Sequence, residues 1–349
     1  MTRIHLVAAL FSAIAAMSGP ASAEDGPSFA LLDFADLNGW NEDDHEQALV
    51  AFRSTCTVLD DPDWQALCAL SQEATDAKAF FELFFRPVMI TEDGQDALFT
   101  GYFEPELRGS PVPTPTYRFP LYKMPPEARG GQWLTRREIE TSGVMQGRGL
   151  EIAWVDDAVE LFFLQIQGSG RVRFPDGRVI RVGYGGKNGH EYRSVGQEMV
   201  RRGIYNAHQV SAQVIANWVR RNPVEGRELL FHNDSYVFFR EVSQVPADKG
   251  PLGALNRSIT PMRSIAVDPE FTPLGAPVWV EKGGASPLNR LMVAQDTGSA
   301  IKGAQRADLF IGTGDAAGKV AGRIKDPGRM IVLMPIQRAY ALLPVDEAT

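Results

Sequence analysis

The sequence predicts a mainly β protein with N-terminal and inserted helices, an α+β fold. The 349 residues suggest two domains, because an average domain holds ~150 residues. The 33 glycines and 23 prolines favour turns and short strands over a helical bundle. After residue 258, short apolar runs are separated by glycine and proline, a pattern typical of a small closed barrel.

The N-terminal part carries two helical patterns. In residues 46–53 and 77–85, apolar side chains recur at spacings of three and four, which places them on one face of a helix. Proline disfavours helical backbone at the residue before it. We therefore expect the second helix to end at Arg86 and Pro87.

The middle of the chain mixes strand and helix patterns. In residues 160–167, alternating side chains that include Gln165 predict a strand, and residues 175–177 predict a hairpin turn. Further elements are expected as a strand at 178–182, helices at 190–202 and 211–221, and a strand at 236–239. The last part of the chain predicts strands at residues 264–267, 277–281, 290–294, 309–311 and 330–334.

Residues 1–23 have the three parts of a secretory signal peptide: a charged start at Arg3, a short apolar run and an Ala-Ser-Ala ending. We expect cleavage before Glu24. The alternative, an N-terminal membrane anchor, is disfavoured because the run is shorter than the ~20 apolar residues that span a bilayer. No cysteine lies near the cleavage site, so we expect an exported chain without a lipid anchor or a membrane span.

Charge and cysteine content narrow the classes of partner. The formal net charge of −8 gives nucleic acid no general electrostatic footprint. Cys56 and Cys68 are the two cysteines, and in an exported protein they can form a disulfide. The alternative is two buried thiols on helices. Two isolated cysteines do not make a zinc site, and we expect neither a metal nor an organic cofactor.

Several common catalytic patterns are missing from the sequence. The glycine-rich residues 183–189 lack the Gly-Lys-Ser/Thr ending of a phosphate-binding loop, which leaves a turn beside a ligand groove or a plain connecting loop. No two histidines have the spacing of a zinc-protease helix, and no Gly-x-Ser-x-Gly elbow occurs. Nucleotide binding, zinc-protease chemistry and ordinary serine hydrolysis are therefore disfavoured.

Two groups of polar residues remain as candidates for chemistry. Gln165 and Gln167 would place two amides on one face of the predicted strand, which suits the hydroxyl and acetamido groups of a sugar; a buried polar ladder would have the same pattern. Asp268, Asp296 and Asp308 lie near strand ends and could converge on one cleft. Their alternative roles are turn capping and ion pairing with Arg263, Lys302 or Arg306.

These aspartates carry a resemblance to a known family. Residues 264–268, 273–275, 293–303 and 306–314 resemble the three-aspartate domain, whose aspartates would be Asp268, Asp296 and Asp308. Upstream, residues 99–105, 165–170, 184–190 and 192–196 resemble the rest of the membrane-bound lytic transglycosylase A family. The match runs in the same order from about residue 98 to residue 335.

The resemblance implies a double-psi β-barrel domain formed by residues 24–105 and 241–349, with N-terminal helices. It also implies a β-rich, glycan-binding domain inserted at 106–240, with a groove between the two. The family cuts the β-1,4 bond between N-acetylmuramic acid and N-acetylglucosamine in peptidoglycan without water and leaves a 1,6-anhydro end. The residue that matches its catalytic aspartate is Asp308. One carboxyl group suffices because the C6 hydroxyl of the sugar is the nucleophile.

The remaining site assignments follow the matched motifs. We expect Asp296, Asp268 and Gly298 to support the acid and shape the pocket. Substrate-binding residues are expected to be Tyr102, Glu104, Gln165, Gln167, Ser169, Lys187, Asn188 and Lys302. The expected partners are peptidoglycan glycan strands, with other cell-wall enzymes as further candidates.

Two other functions stay open. A non-catalytic peptidoglycan-binding module would not need a carboxylate at Asp308, and a hydrolytic muramidase would pair Asp308 with Asp296 or Glu104.

The sequence departs from the family in one feature that affects location. Well-known members of the family are outer-membrane lipoproteins, whereas this sequence has no lipobox cysteine. A periplasmic location without a lipid anchor is therefore expected.

Overall fold

The computed structural model describes residues 26–92, 97–246 and 248–342. The predicted signal peptide at residues 1–23 lies outside these residues. Within them the chain forms two β-sheets with helices packed around them. No helix in this part of the chain is long and apolar enough to cross a membrane.

The first sheet has eight strands from both ends of the chain. They are β1 (Ser28–Leu31), β2 (Phe85–Thr91), β3 (Ala97–Glu104), β10 (Ser264–Val267), β11 (Pro277–Lys282), β12 (Leu288–Asp296), β13 (Arg306–Thr313) and β14 (Lys325–Pro335). Their order is β1-β2-β14-β11-β12-β10-β13-β3, and β3 also pairs with β14. This extra pairing closes six of the strands into a ring.

Apolar side chains from alternate positions of the strands fill the inside of this ring. Ile265, Val278, Met292 and Leu309 are fully buried there. Because side chains of a strand point alternately to its two faces, the residues between them face out of the ring. Asp308 lies between two fully buried residues of β13 and therefore points outward.

Three N-terminal helices pack against the outside of the ring. They are α1 (His45–Thr55), α2 (Pro62–Glu73) and α3 (Ala77–Phe84). Each helix begins after an aspartate whose side chain accepts a backbone hydrogen bond of the first turn, namely Asp44, Asp61 and Asp76. A disulfide joins Cys56, just after α1, to Cys68 in α2.

The second sheet has six strands, all between residues 106 and 241. They are β4 (Glu106–Ser110), β5 (Phe119–Tyr122), β6 (Glu151–Val155), β7 (Gly170–Arg173), β8 (Val179–Lys187) and β9 (Val237–Glu241), in the order β5-β6-β4-β7-β8-β9. Five helices accompany this sheet: α4 (Arg136–Thr141), α5 (Ala158–Gln167), α6 (Val195–Arg201), α7 (Ala212–Arg221) and α8 (Pro223–Leu230). Two more helices follow strands β13 and β14 of the first sheet, namely α9 (Gly314–Ala321) and α10 (Ile336–Ala341).

Two sequence-based predictions of local structure were wrong. Residues 160–167 form most of helix α5 instead of a strand, because Asp157 caps two backbone N–H groups of its first turn and Gly168 ends it in the left-handed conformation. The helix predicted at 190–202 begins only at Val195, where the Ser194 side chain accepts a hydrogen bond from the Gln197 N–H. The hairpin around residues 175–177 is confirmed by the antiparallel pairing of β7 and β8.

A buried carboxylate ties the two sheets together. Glu104, at the end of β3, has no exposed surface. Its carboxylate pairs with Arg171 at 2.9 Å and Arg181 at 2.8 Å, both on the second sheet, and accepts a hydrogen bond at 2.8 Å from Thr313 on the first. Both arginines also donate to the carbonyl of Lys249, in the segment that returns the chain to the first sheet. This cluster therefore fixes how the sheets meet.

Replacing this carboxylate should destabilise the whole protein. In Glu104→Gln, two arginines lose their shared counter-charge, and we expect a loss of about 3–5 kcal/mol in the free energy of unfolding. The matched control is Glu106→Gln, whose partner Arg173 is 51% exposed and whose loss should cost less than about 1 kcal/mol. Guanidinium titration measures both variants, and equal losses would contradict this role of Glu104.

Candidate active site

A cleft of about 660 Å³ lies between the two sheets. Tyr102, Asp296 and Asp308 line it from the first sheet, and Gln165 and Lys187 line it from the second. The two walls come from segments that are far apart in sequence. An extended chain of polar groups bound in this cleft would therefore touch both sheets.

Asp308 reaches the cleft from the outward face of β13. In the parallel pairing of β13 with β3, Asp308 lies opposite Thr100, whose hydroxyl donates to Oδ1 of the carboxylate at 2.7 Å. The same hydroxyl accepts a hydrogen bond at 2.8 Å from Nη2 of Arg306. No described residue hydrogen-bonds to Oδ2 of Asp308. One oxygen is thus held while the other is available to a ligand.

The surroundings of Asp308 favour its protonated form. Burial raises the pKa of this carboxyl above its ordinary value, while the Thr100 hydrogen bond and the charge of Arg306 act in the opposite direction. The net direction is upward. A raised pKa is the direction that a carboxyl group needs in order to act as a general acid.

Asp296 and Asp308 lie on opposite sides of strand β10. Both Asp296, at the end of β12, and Asp308 align with Ala266 of β10, so their Cα atoms lie roughly 10 Å apart, about two strand spacings. Burial raises the pKa of Asp296 to about 6. Its Oδ2 accepts from the Tyr102 hydroxyl at 2.8 Å, and its Oδ1 accepts from the backbone N–H groups of Ala254 and Thr297. Both oxygens of Asp296 are therefore occupied.

Eight of the predicted site residues line this cleft, namely Tyr102, Gln165, Gln167, Ser169, Lys187, Asp296, Gly298 and Asp308. The two glutamines reach it from a helix instead of one face of a strand, so their side chains point in different directions. The side chain of Gln167 accepts a hydrogen bond from the Phe103 N–H at 3.2 Å, which joins α5 to β3. Gln165 is only 4% exposed.

Four predicted site residues lie outside the cleft lining. Glu104 is buried in the ion-pair cluster described above. Asn188 is fully buried and hydrogen-bonds to the backbone of Leu134, Asp234 and Tyr236. Asp268 is buried, accepts from the Gly303 N–H and lies 3.4 Å from the exposed Lys302 ammonium. These residues shape the loops around the cleft.

Several residues that the structure places at the site were not among the predicted site residues. Thr100 and Arg306 both lie inside the quoted motifs, but their role depends on the pairing of β3 with β13, which the sequence does not reveal. Ala266 separates the two aspartates, and its small side chain leaves room between them. Tyr184 and Arg240 line the second sheet's wall. Among the described residues, no group of three potential metal ligands occurs.

Two family models match the chain. The MltA specific insert domain matches residues 98–240, and the 3D domain matches residues 263–334. A curated relative from Vibrio cholerae, named membrane-bound lytic murein transglycosylase A, is 34% identical over 264 residues, which are 71% of this chain and 69% of the relative.

Solved structures agree with these matches. The membrane-bound lytic murein transglycosylase from Agrobacterium tumefaciens has a TM-score of 0.81 and 30% identity, with 90% of this chain and 100% of that chain covered. The crystal structure of E. coli MltA with bound chitohexaose has a TM-score of 0.72 and 27% identity, with 88% and 94% covered. The mixed architecture with two sheets is therefore the fold of these proteins.

Removing the Thr100 hydroxyl should raise the pKa of Asp308. The hydroxyl donates to the ionised carboxylate and so lowers its pKa; in Thr100→Val this effect is lost, and we expect the pKa of Asp308 to shift upward. Carbon-13 NMR titration of labelled aspartate carboxyl groups measures the shift, with the Asp308 signal assigned from Asp308→Asn.

The control for this titration is Thr141→Val, whose hydroxyl donates to the Arg137 carbonyl on the surface of α4. It should leave the pKa of Asp308 unchanged. An unchanged or lower pKa of Asp308 in Thr100→Val would show that Thr100 does not stabilise the carboxylate.

Proposed function

The chain belongs to the membrane-bound lytic murein transglycosylase A family, and we propose that it is a peptidoglycan lytic transglycosylase with Asp308 as its single general acid and base. The proposal depends on one observation above all: Asp308 lies in the cleft with a raised pKa, and its Oδ2 receives no hydrogen bond from any residue that the structure describes. The relatives' name and the chitohexaose bound to E. coli MltA support a glycan as the occupant of this cleft.

The proposed reaction needs only this one carboxyl group. Protonated Asp308 donates its proton to the glycosidic oxygen as the bond from C1 of N-acetylmuramic acid to O4 of N-acetylglucosamine breaks. The resulting carboxylate then accepts the proton of the C6 hydroxyl as O6 bonds to C1. The product ends in 1,6-anhydromuramic acid, and Asp308 regains its proton. No water enters, so the second carboxylate of a hydrolase is not required.

Asp296 has a supporting role in this proposal. Its two oxygens already accept hydrogen bonds from Tyr102, Ala254 and Thr297, so it is poorly placed to activate water or attack carbon. Its charge and the backbone around Gly298, which line the same cleft, are instead assigned to stabilising the oxocarbenium ion, because fixed charges and dipoles can stabilise such an ion.

Glycan binding is assigned to polar and aromatic groups on both walls. We place Tyr102 on one side and Gln165, Gln167, Ser169 and Lys187 on the other, because hydroxyl, amide and ammonium groups suit sugar hydroxyl and acetamido groups. Asp268, Glu104, Asn188 and Lys302 are assigned to holding this arrangement instead of touching the glycan.

Three finer assignments complete the proposal. The ring of six strands is assigned as a double-psi β-barrel, which its parallel pairings β10–β12 and β3–β13 support. We place the domain division at residues 24–105 and 241–349 for one domain and 106–240 for the other, because the second sheet lies within this insert. A periplasmic location fits both the signal-peptide pattern and a peptidoglycan substrate.

Neutralising Asp308 tests the proposal. Asp308→Asn cannot donate or accept the proton, so we expect the release of soluble fragments from purified peptidoglycan to fall by roughly 10²–10⁴-fold, with pelleting on peptidoglycan retained. Asp315→Asn, an exposed site at the start of α9, is the control and should cleave normally. Thermal midpoints show that both variants are folded.

Each other outcome of this experiment identifies an alternative. Normal release by Asp308→Asn would refute the assignment of the acid. Equal loss in Asp296→Asn, together with reducing-end products, would indicate a hydrolase that uses two carboxylates. Pelleting without any cleavage by the unmodified protein would indicate a binding module.

A further inference from the structure

A second cavity, outside the cleft, lies within the part of the chain that carries the second sheet. We propose that this cavity binds a short peptide that carries both a free amine and free carboxylates, the chemistry of the peptide stems of peptidoglycan. The identification of this peptide as a stem of peptidoglycan rests on the function proposed above. The cavity itself is defined independently of Asp308 and Asp296, neither of which lines it.

The cavity has a volume of about 770 Å³ and is formed by several elements. Its walls are the outer face of the β5–β6 pair, helix α4 with the turn after it, the start of α5 and the junction of α7 with α8. This volume is in the range of pockets that bind small ligands. It is large enough for several amino acid residues.

Five aromatic side chains contribute to the lining of this cavity. Tyr122 and Trp154 lie half-buried on the outer face of the β5–β6 pair, and Phe162 and Tyr236 are buried deeper in the cavity. Flat aromatic walls pack well against the aliphatic parts of amino acids and attract ammonium groups to their faces. The lining therefore suits a ligand with both aliphatic and cationic parts.

Unpaired charges of both signs accompany these aromatic groups. Glu151 is half-buried in the cavity, and its carboxylate has neither a hydrogen bond nor an ion pair with any described residue. Together with burial, its charge raises the pKa of the Tyr122 phenol, which places the carboxylate beside that ring. A half-buried carboxylate without a partner is a site for an incoming amine.

Two arginines supply the opposite charge. Arg118 and Arg227 line the cavity, and their guanidinium groups lie 5.1 Å and 5.2 Å from the ring centres of Phe119 and Phe231. Neither forms an ion pair with any described carboxylate. By contrast, the other three acidic groups of the lining are each paired: Glu140 with Arg136, Asp156 with Arg108, and Asp157 with Arg220.

This charge pattern favours a peptide over a second glycan. A glycan of N-acetylated sugars offers no amine to Glu151 and, once its lactyl groups are joined to peptides, no carboxylate to the arginines. The peptide stems of peptidoglycan carry free carboxylates and, at a diamino acid, a free amine. Charge complementarity therefore selects the peptide.

The second cavity lies directly behind the cleft. Arg136 is 2% exposed and lines both cavities. Its guanidinium donates to the carbonyls of Asn233 and Ser235, on the cleft side, and lies 5.2 Å from the Tyr236 ring centre. Arg136 thus contributes to the walls of both cavities. A glycan in the cleft and a peptide in the second cavity could be bound at the same time.

Calorimetric titration with a free stem tetrapeptide, alanine-glutamate-diaminopimelate-alanine, tests the proposal. We expect the full protein to bind it, and Glu151→Gln and Arg118→Gln each to weaken binding at least about tenfold, as the loss of a charged hydrogen bond predicts. The control Glu127→Gln removes an acid that pairs with Arg148 elsewhere on the same part of the chain, and it should bind as the unmodified protein does.

The remaining outcomes overturn the proposal. Either no tetrapeptide binding at millimolar concentration or equal binding by Glu151→Gln and Arg118→Gln would exclude this cavity as a peptide site. Chitohexaose is the second probe, and weaker chitohexaose binding by these variants without any tetrapeptide binding would make the cavity a glycan site. Asp308→Asn should bind the tetrapeptide normally, so failure of the proposed catalysis and failure of this site give different results.

Discussion

The ion-pair cluster around Glu104 is the interaction on which the rest of the structure depends. The cleft has one wall on each sheet, and without a fixed contact between the sheets the Asp308 carboxyl on one wall would not keep its distance from the polar groups on the other. Glu104 ends β3, its arginine partners come from β7 and β8, and its hydroxyl partner comes from β13. Since a buried carboxylate is costly unless fully paired, only one relative position of the sheets satisfies it.

The position of Asp308 follows from the alternation of side chains along strand β13. The ring packs apolar side chains inward, which forces the residue between Ala307 and Leu309 outward into the cleft. The cleft withdraws the carboxyl from water, and this raises its pKa; the hydrogen bond from Thr100 to one oxygen and the charge of Arg306 limit the rise. The second oxygen receives no hydrogen bond within the part of the chain that the structure describes. A single carboxyl can therefore give and take a proton in turn.

The sequence predicted five of the six strands of the ring, β10 to β14 but not β3, and eight of the residues in the cleft, because short apolar runs and contiguous motifs are local signals. It failed where a local pattern has two readings: residues 160–167 alternate like a strand, but Asp157 and Gly168 cap them as a helix. It also gave Glu104 and Asn188 a ligand-binding role. Their partners, such as Arg171 and Leu134, are distant in sequence, and only the folded chain shows that those contacts occupy them.

The central claim is that the substrate's own C6 hydroxyl, and no water, closes the reaction at Asp308. Digestion of purified peptidoglycan in oxygen-18 water, followed by mass spectrometry of the fragments, tests it most directly. We expect fragments one water lighter than the hydrolytic product, ending in anhydromuramic acid and free of oxygen-18. Fragments with oxygen-18 at new reducing ends would contradict the claim and require a second carboxylate in the cleft.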